Sequence, residues 1–108
     1  LQTYLPMFLE TFASVAMRTR ALVVAPTFPV LFEGRAVNRA HVFGPLGLVG
    51  YQDKQKMTRF ETEEWKIESG EKSLTAFDTD FGMVGINVCY DVEFPAYAFG
   101  LAKLGVHL

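Results

Sequence analysis

From Leu5 onward the apolar residues Phe8, Leu9, Phe12, Val15 and Ala16 recur at helical spacing, while Glu10, Thr11, Ser14 and Arg18 fall on the opposite side. The pattern predicts an amphipathic helix, and Pro6 suits its first turn, where a missing N–H leaves no helical bond unmade. The next run, ALVVAP at 21–26, is short, continuous and rich in β-branched residues, which predicts a strand covered on both faces. Helix followed by buried strand points to a layered α/β or α+β sandwich. In AVNRAHVFGPLGLVGYQDK, at 36–54, two strand-like runs flank GPLG, whose glycines and proline are turn residues, and a hairpin is predicted. The stretch at 55–72, QKMTRFETEEWKIESGEK, is polar, has no clean period and is long enough for a functional loop. SLTAFDT, a turn at DTDFG, and MVGINVCY predict two more strands. FPAYAFGLAKLG then reads as a helix, with Pro95 at its first position, Asp91 and Glu93 just ahead of its N-terminus, and Gly105 closing it. Cys89 therefore falls at a strand-to-helix junction. No internal repeat, low-complexity tract or linker interrupts this order.

With 108 residues, half of them hydrophobic and 14% aromatic, the chain has material for one core and is too short for two ordinary domains. The formal charge of -2, spread over interspersed acids and bases, supplies neither a basic stripe for nucleic acid nor a polybasic anchor for a membrane. The most apolar run, at 21–32, is broken by Pro26 and Pro29 and falls short of the roughly 20 residues that span a bilayer. One cysteine cannot form an internal disulfide, and no basic segment followed by an apolar one opens the chain. A reducing compartment is favoured, and a cytoplasmic location is expected. The chain starts on Leu1 and stops at GVHL, which looks like a strand just begun, so a fragment is expected.

A cysteine is a useful nucleophile only as thiolate, and a helix N-terminus or a nearby cation favours that form while a sharp turn keeps it accessible. Against this, free cysteine is among the most buried residue types, so residue type alone favours a core role for Cys89. His41 falls in a hairpin strand and His107 after the last helix; each reads as a structural or surface histidine. Two histidines and one cysteine make no zinc-ligand spacing, and no metal is expected. GPLGLVG precedes a strand instead of opening a helix, so it is no phosphate loop.

GMVGINVCYDVEFPAYAFGLAKLGVHL resembles the nucleophile region of the nitrilase superfamily, the carbon-nitrogen hydrolases, with CYDVEFP as the core of the match. GYQDKQKMTRFE, whose Lys54 lies 35 residues before Cys89, is similar to that family's lysine motif, Tyr-x-Lys-x-His-Leu or Asp-Lys-x-His-Leu followed by an acid. VNRAHVFGPLGLVGY is similar to the family's hairpin, in which an Asn, here Asn38, precedes a strand. The resemblance covers essentially the whole chain. It implies part of a four-layer αββα sandwich, with residues 1–108 the central segment of one carbon-nitrogen hydrolase domain truncated at both ends.

The resemblance also implies a Glu-Lys-Cys catalytic set. Cys89 would be the nucleophile and Lys54 the catalytic lysine, helped by the backbone N–H of Tyr90 at the oxyanion. Glu61 would be the family's second, positioning glutamate, with Glu63 and Glu64 close enough to leave that assignment open. Lys56, two residues on and on the same face, competes with Lys54, and register with the tyrosine favours Lys54. Asp91 and Glu93 are expected to cap the following helix. The implied reaction is hydrolysis of a linear amide, carbamoyl or nitrile C–N bond in a small molecule through a cysteine thioester, with no cofactor and a homo-oligomeric parent. A non-catalytic fragment with a packing role and an acyltransferase using the same thioester are the alternatives. The chain departs from the pattern at Lys56, where histidine is usual, at Ala96, usually acidic, at Phe99, frequently arginine, and in APTFPV, which lacks the common Gly-Ser. The family's general-base glutamate comes before the helix that opens this chain; Glu10, inside that helix, is not it. The fragment alone is therefore expected to be inactive.

Overall fold

A computed structural model describes residues 1–108. In chain order its elements are α1 (Leu5–Thr19), β1 (Val23–Val24), β2 (Phe28–Phe32), β3 (Arg35–Gly44), β4 (Gly47–Asp53), α2 (Arg59–Glu63), β5 (Ile67–Glu68), β6 (Phe77–Thr79), β7 (Gly82–Val84) and α3 (Pro95–Lys103), with 3₁₀ turns at Gln2–Tyr4 and Cys89–Glu93. This is a mixed α/β architecture, as expected, and it is compatible with part of an αββα sandwich. No helix is long and apolar enough to cross a membrane.

The ten-residue β3 is the spine. Along one edge it pairs antiparallel with β1 at Val42–Phe43 and with β2 from Arg35 to Arg39. Along the other it pairs with β4, antiparallel, and with the two residues of β5, parallel. Arg39 thus lies between Phe28 and Asp53, and Ala36 between Leu31 and Ile67. The hairpin turns at Gly44-Pro45-Leu46-Gly47 as expected. A bulge follows it: Leu48 opposes Phe43 but Gly50 opposes Val42, so Val49 is the extra residue.

The apolar stripe of α1 packs on β3 in two clusters. Ala16, Ala25 and Phe43 gather Phe8, Leu9 and Phe12, while Phe28, Val30 and Val37 gather Leu5 and Phe8. The polar side of the helix satisfies itself, with Thr11 and Thr19 each donating to the carbonyl four residues back. On the opposite face Gly50 makes room for Phe77, whose ring would sit 3.0 Å from a Cβ at that position.

Several elements differ from expectation. β1 is two residues long and Val24 is exposed, so 21–26 is not covered on both faces. β2 was not expected, and its Pro29 is a residue that central strands exclude. It forms at an edge: the Pro29 carbonyl and Leu31 N–H face away from β3, where the Gln2 side-chain amide bonds both (2.7 and 3.0 Å). The missing N–H of Pro29 therefore costs no ladder bond. The 55–72 loop contains α2, started by a capping box in which Thr58 and Glu61 each bond the other's backbone N–H. β5 was not expected within that loop, and β6 and β7 are short: β7 ends at Val84, so the strand expected through Tyr90 does not form, and Cys89 opens a 3₁₀ turn beyond residues 85–88 instead of ending a strand. Beyond β7 the chain end lies alongside, His107 N–H bonding Met83 O and Gly85 N–H bonding Leu108 O. α3 starts on Pro95, and Gly105 follows it at φ 86 as expected.

His41 is buried on β3 among Phe8, Phe43 and Tyr51, and its Nδ1 has no hydrogen-bond partner. Burial first, then the neighbouring Arg39 charge, hold the imidazole below its ordinary 6.5 despite the opposing pull of Asp53. The folded state thus favours neutral His41, and its contribution is fully present above 6.5 and lost as pH falls through the depressed folded value. His41→Leu is expected to flatten the acid-side fall in thermal midpoint below that pH. Parallel melts of the two proteins at descending pH check it; superimposable slopes would contradict the buried neutral histidine.

Candidate active site

β4 ends at Asp53, and Lys54 follows with its N–H on the Asn38 carbonyl (2.9 Å). Lys54 is only 2% exposed, and its Nζ bonds Glu61 Oε2 at 2.7 Å. Glu61, in the first turn of α2, also accepts from the Thr58 N–H (2.8 Å), the Thr58 hydroxyl (2.9 Å) and, at Oε1, Asn38 Nδ2 (3.4 Å). Burial acts to raise this carboxyl, but the bonds from Lys54 and Thr58 outweigh it and hold Glu61 below the usual carboxylate range. A carboxylate therefore faces Lys54.

The neighbouring candidates sit elsewhere. Glu63 makes an exposed i,i+4 pair with Arg59 (2.8 Å), and Glu64 is exposed. Lys56 is exposed with its Nζ 5.7 Å from the Phe94 ring centroid. It does not share a face with Lys54, because the strand has ended and the chain turns between them. Asn38 lies inside β3 instead of ahead of it.

Cys89 is exposed, against the bias of its residue type, and opens the 3₁₀ turn at φ 49, a left-handed conformation uncommon for a side chain with a Cβ. The first bond of the turn runs from Asp91 N–H to Val88 O (3.0 Å), so the N–H groups of Cys89 and Tyr90 precede it. Asp91 is 2% exposed and does not cap α3, whose N-cap is Phe94 with no side-chain bond. The intervening turn places Asp91 upstream of the helix. Its carboxylate accepts from Val88 N–H (3.3 Å) and, across the fold, from Gln55 N–H (3.1 Å) and Lys56 N–H (2.8 Å). Glu93 is exposed. The structure thus brings the chain beside Lys54 against the Cys89 turn.

Behind Lys54 stands a buried network that sequence reasoning missed. Arg39 Nε and Nη2 donate to the two oxygens of Asp53 (2.6 and 3.0 Å), and the guanidinium stacks 3.7 Å from the Tyr51 ring centroid. Burial works against the Arg39 charge, yet the bonds to Asp53 raise its pKa further. Glu71 N–H bonds Asp53 Oδ2 (3.0 Å), the Tyr51 hydroxyl donates to Glu71 (2.9 Å), and Gly70 N–H bonds the Lys54 carbonyl (3.3 Å). Gly70 passes so close that a Cβ there would lie within contact distance of the Asp53 carboxyl group. The signal was present: opposite charges paired across the hairpin. A count from the turn would set Arg39 opposite Gln52, because the bulge shifts register by one. No cluster of three or more His, Cys, Asp or Glu side chains could hold a metal. Surface depressions at α2–β5, at the hairpin turns, beneath α3 and beside α1 are not lined by Cys89, Lys54 or Glu61.

An exposed cysteine on a strained turn, tied to a segment that carries a buried Lys–Glu pair, sits on a mixed α/β frame, and family comparison gives this arrangement its class. The chain belongs to the carbon-nitrogen hydrolase family, within the nitrilase superfamily: the family profile matches residues 3–108. It is similar to a probable hydrolase of Bacillus subtilis, 32% identical over 101 residues that cover 94% of this chain and 20% of that protein. It is also similar to an omega-amidase of Danio rerio, 29% identical over 92% of this chain and 38% of the relative, and to a chloroplastic omega-amidase of Arabidopsis thaliana, 28% identical over 89% and 28%. The chain spans between about a fifth and two-fifths of the length of these relatives.

Proposed function

We propose that residues 1–108 are the central segment of a single carbon-nitrogen hydrolase domain, and that the whole protein hydrolyses a linear amide or related C–N bond of a small molecule through a thioester on Cys89. The observation that carries this reading is the buried Lys54–Glu61 pair, held one residue from a loop bonded to the Cys89 turn. The omega-amidase relatives favour an amide over a nitrile. In the proposed reaction the Cys89 sulfur attacks the amide carbon, and the tetrahedral oxyanion forms near the Lys54 ammonium and the Tyr90 N–H. Collapse breaks the C–N bond, the amine leaves with a proton, and water cleaves the thioester to release the acid and restore the thiol. Glu61 keeps Lys54 oriented. The general base that takes the thiol proton and activates water is proposed to come from outside residues 1–108. An exposed, unpaired Cys89 suits a reducing, cytoplasmic setting.

Mass spectrometry of the full-length protein during turnover of a linear amide tests this: an acyl adduct on the Cys89 peptide is expected, and turnover without one at any time point would overturn the thioester. Product analysis with and without an added ordinary amine or alcohol acceptor distinguishes hydrolysis from acyl transfer. Lys54→Met is expected to lower kcat by roughly 100-fold, about 3 kcal/mol, as for loss of an oxyanion donor. Lys56→Met, at an exposed loop position, should cost far less. A reversed ranking would show that the wrong lysine has been assigned.

A further inference from the structure

Asp91 is a buried carboxylate that the proposed chemistry leaves unused and that no ion pair accounts for. It is 2% exposed, and none of the three ion pairs of the fold, Arg39–Asp53, Lys54–Glu61 and Arg59–Glu63, includes it. A carboxylate taken from water without a cation must be compensated by hydrogen bonds. Here the compensation is entirely backbone: Oδ1 accepts from Lys56 N–H (2.8 Å) and Gln55 N–H (3.2 Å), and Oδ2 from Gln55 N–H (3.1 Å) and Val88 N–H (3.3 Å). The Val88 bond alone would make Asp91 a cap of its own turn. The other two donors belong to a segment 35 and 36 residues earlier, and they are the first two N–H groups after Lys54.

That segment is braced on its far side as well. Gln55 Nε2 donates to the carbonyls of Asp53 (2.8 Å) and Glu71 (2.6 Å), and the Ser69 hydroxyl donates to Gln55 O (2.8 Å). The Lys54 loop is therefore a fixed body, and Asp91 joins it to the turn that begins at Cys89. We infer that Asp91 is a positioning residue that sets the register between the Cys89 turn and the Lys54 loop. This rests on the catalytic reading of Cys89 and Lys54 above. The carboxylate touches neither substrate nor reacting atoms; it acts through the two backbones it bridges. A displacement of about 1 Å between nucleophile and charge is enough to lower a rate by roughly 100-fold.

The test uses the full-length protein and a linear amide. Asp91→Asn is nearly isosteric but turns one acceptor oxygen into a donor facing N–H groups. It is expected to lower kcat by roughly 10- to 100-fold with KM changed less than about threefold. Glu93→Gln, at an exposed position on the same turn, should leave both unchanged. In the double variant with Lys54→Met, Asp91→Asn should add little further loss, because a mispositioned lysine and an absent one are the same defect. If Asp91→Asn does not fold, Asp91→Glu, which keeps the charge on a longer arm, takes the same three measurements. Should Lys54→Met depress kcat while the Asp91 variant leaves it intact, or should the two losses multiply, the positioning role is wrong and the catalytic reading stands. If Lys54→Met itself leaves kcat unchanged, the catalytic reading falls and this role falls with it.

Discussion

Cys89→Ala in the full-length protein is expected to abolish turnover while leaving the thermal midpoint almost where it was. The two halves of that expectation have separate causes. The thiol is exposed, so its removal takes little apolar surface from a core, and alanine meets the left-handed φ of 49 with the same Cβ that cysteine carries. Substitutions at such sites fall within about 0.5 kcal/mol. In the proposed mechanism the sulfur makes the covalent bond to the carbonyl carbon, while the Tyr90 N–H and Lys54 only stabilise the oxyanion, so its removal leaves the reaction without a nucleophile. An amidase assay beside a thermal melt reads both, and iodoacetamide should label the parent at Cys89 and leave the variant unlabelled there. A fully active alanine variant would sink the covalent mechanism.

The largest effect on stability is expected from Asp53→Ala. Arg39 is 7% exposed and lies against Tyr51, so removal of its partner leaves a buried guanidinium without an anion, and the Glu71 N–H loses its acceptor as well. Breaking such a pair from one side costs about 3–5 kcal/mol, a large share of the roughly 5–15 kcal/mol that holds a domain folded. Replacing both partners together, Arg39→Met with Asp53→Leu, should recover much of the loss, because the desolvation of two charges disappears with them. Denaturant titration of the single and double variants checks this. A single variant that loses less than about 1 kcal/mol would mean that water reaches Arg39 and that the pair is not sealed as the structure shows.

The elements that were legible in advance were those with a long local signal. α1 shows three turns of apolar stripe, GPLG carries its own turn chemistry, and α3 is bracketed by Pro95 and Gly105. Cys89 ahead of the last helix and Lys54 near an acid were visible as motifs, and burial and bonding set Glu61 apart from Glu63 and Glu64. What escaped has physical reasons. β2 carries Pro29, which argues against a strand, and its remedy, the Gln2 amide on its outer edge, lies 27 residues away in sequence. α2, with five residues, is too short to show a period, although Thr58-x-x-Glu61 is a start signal. The Arg39–Asp53 pairing was hidden by one bulged residue. Asp91 read as a helix cap because acids ahead of a proline usually are, and nothing local reveals that its partners are Gln55 and Lys56.

Gly70 carries a different kind of consequence. The segment that reaches the Lys54 carbonyl and the Asp53 carboxylate can come that near only because position 70 has no side chain. Every single-base change in a glycine codon that alters the encoded residue adds at least a Cβ, so no point mutation at this codon is conservative. A position that performs no chemistry thus becomes an unforgiving one, and a variant found there should be weighed as heavily as one at Cys89.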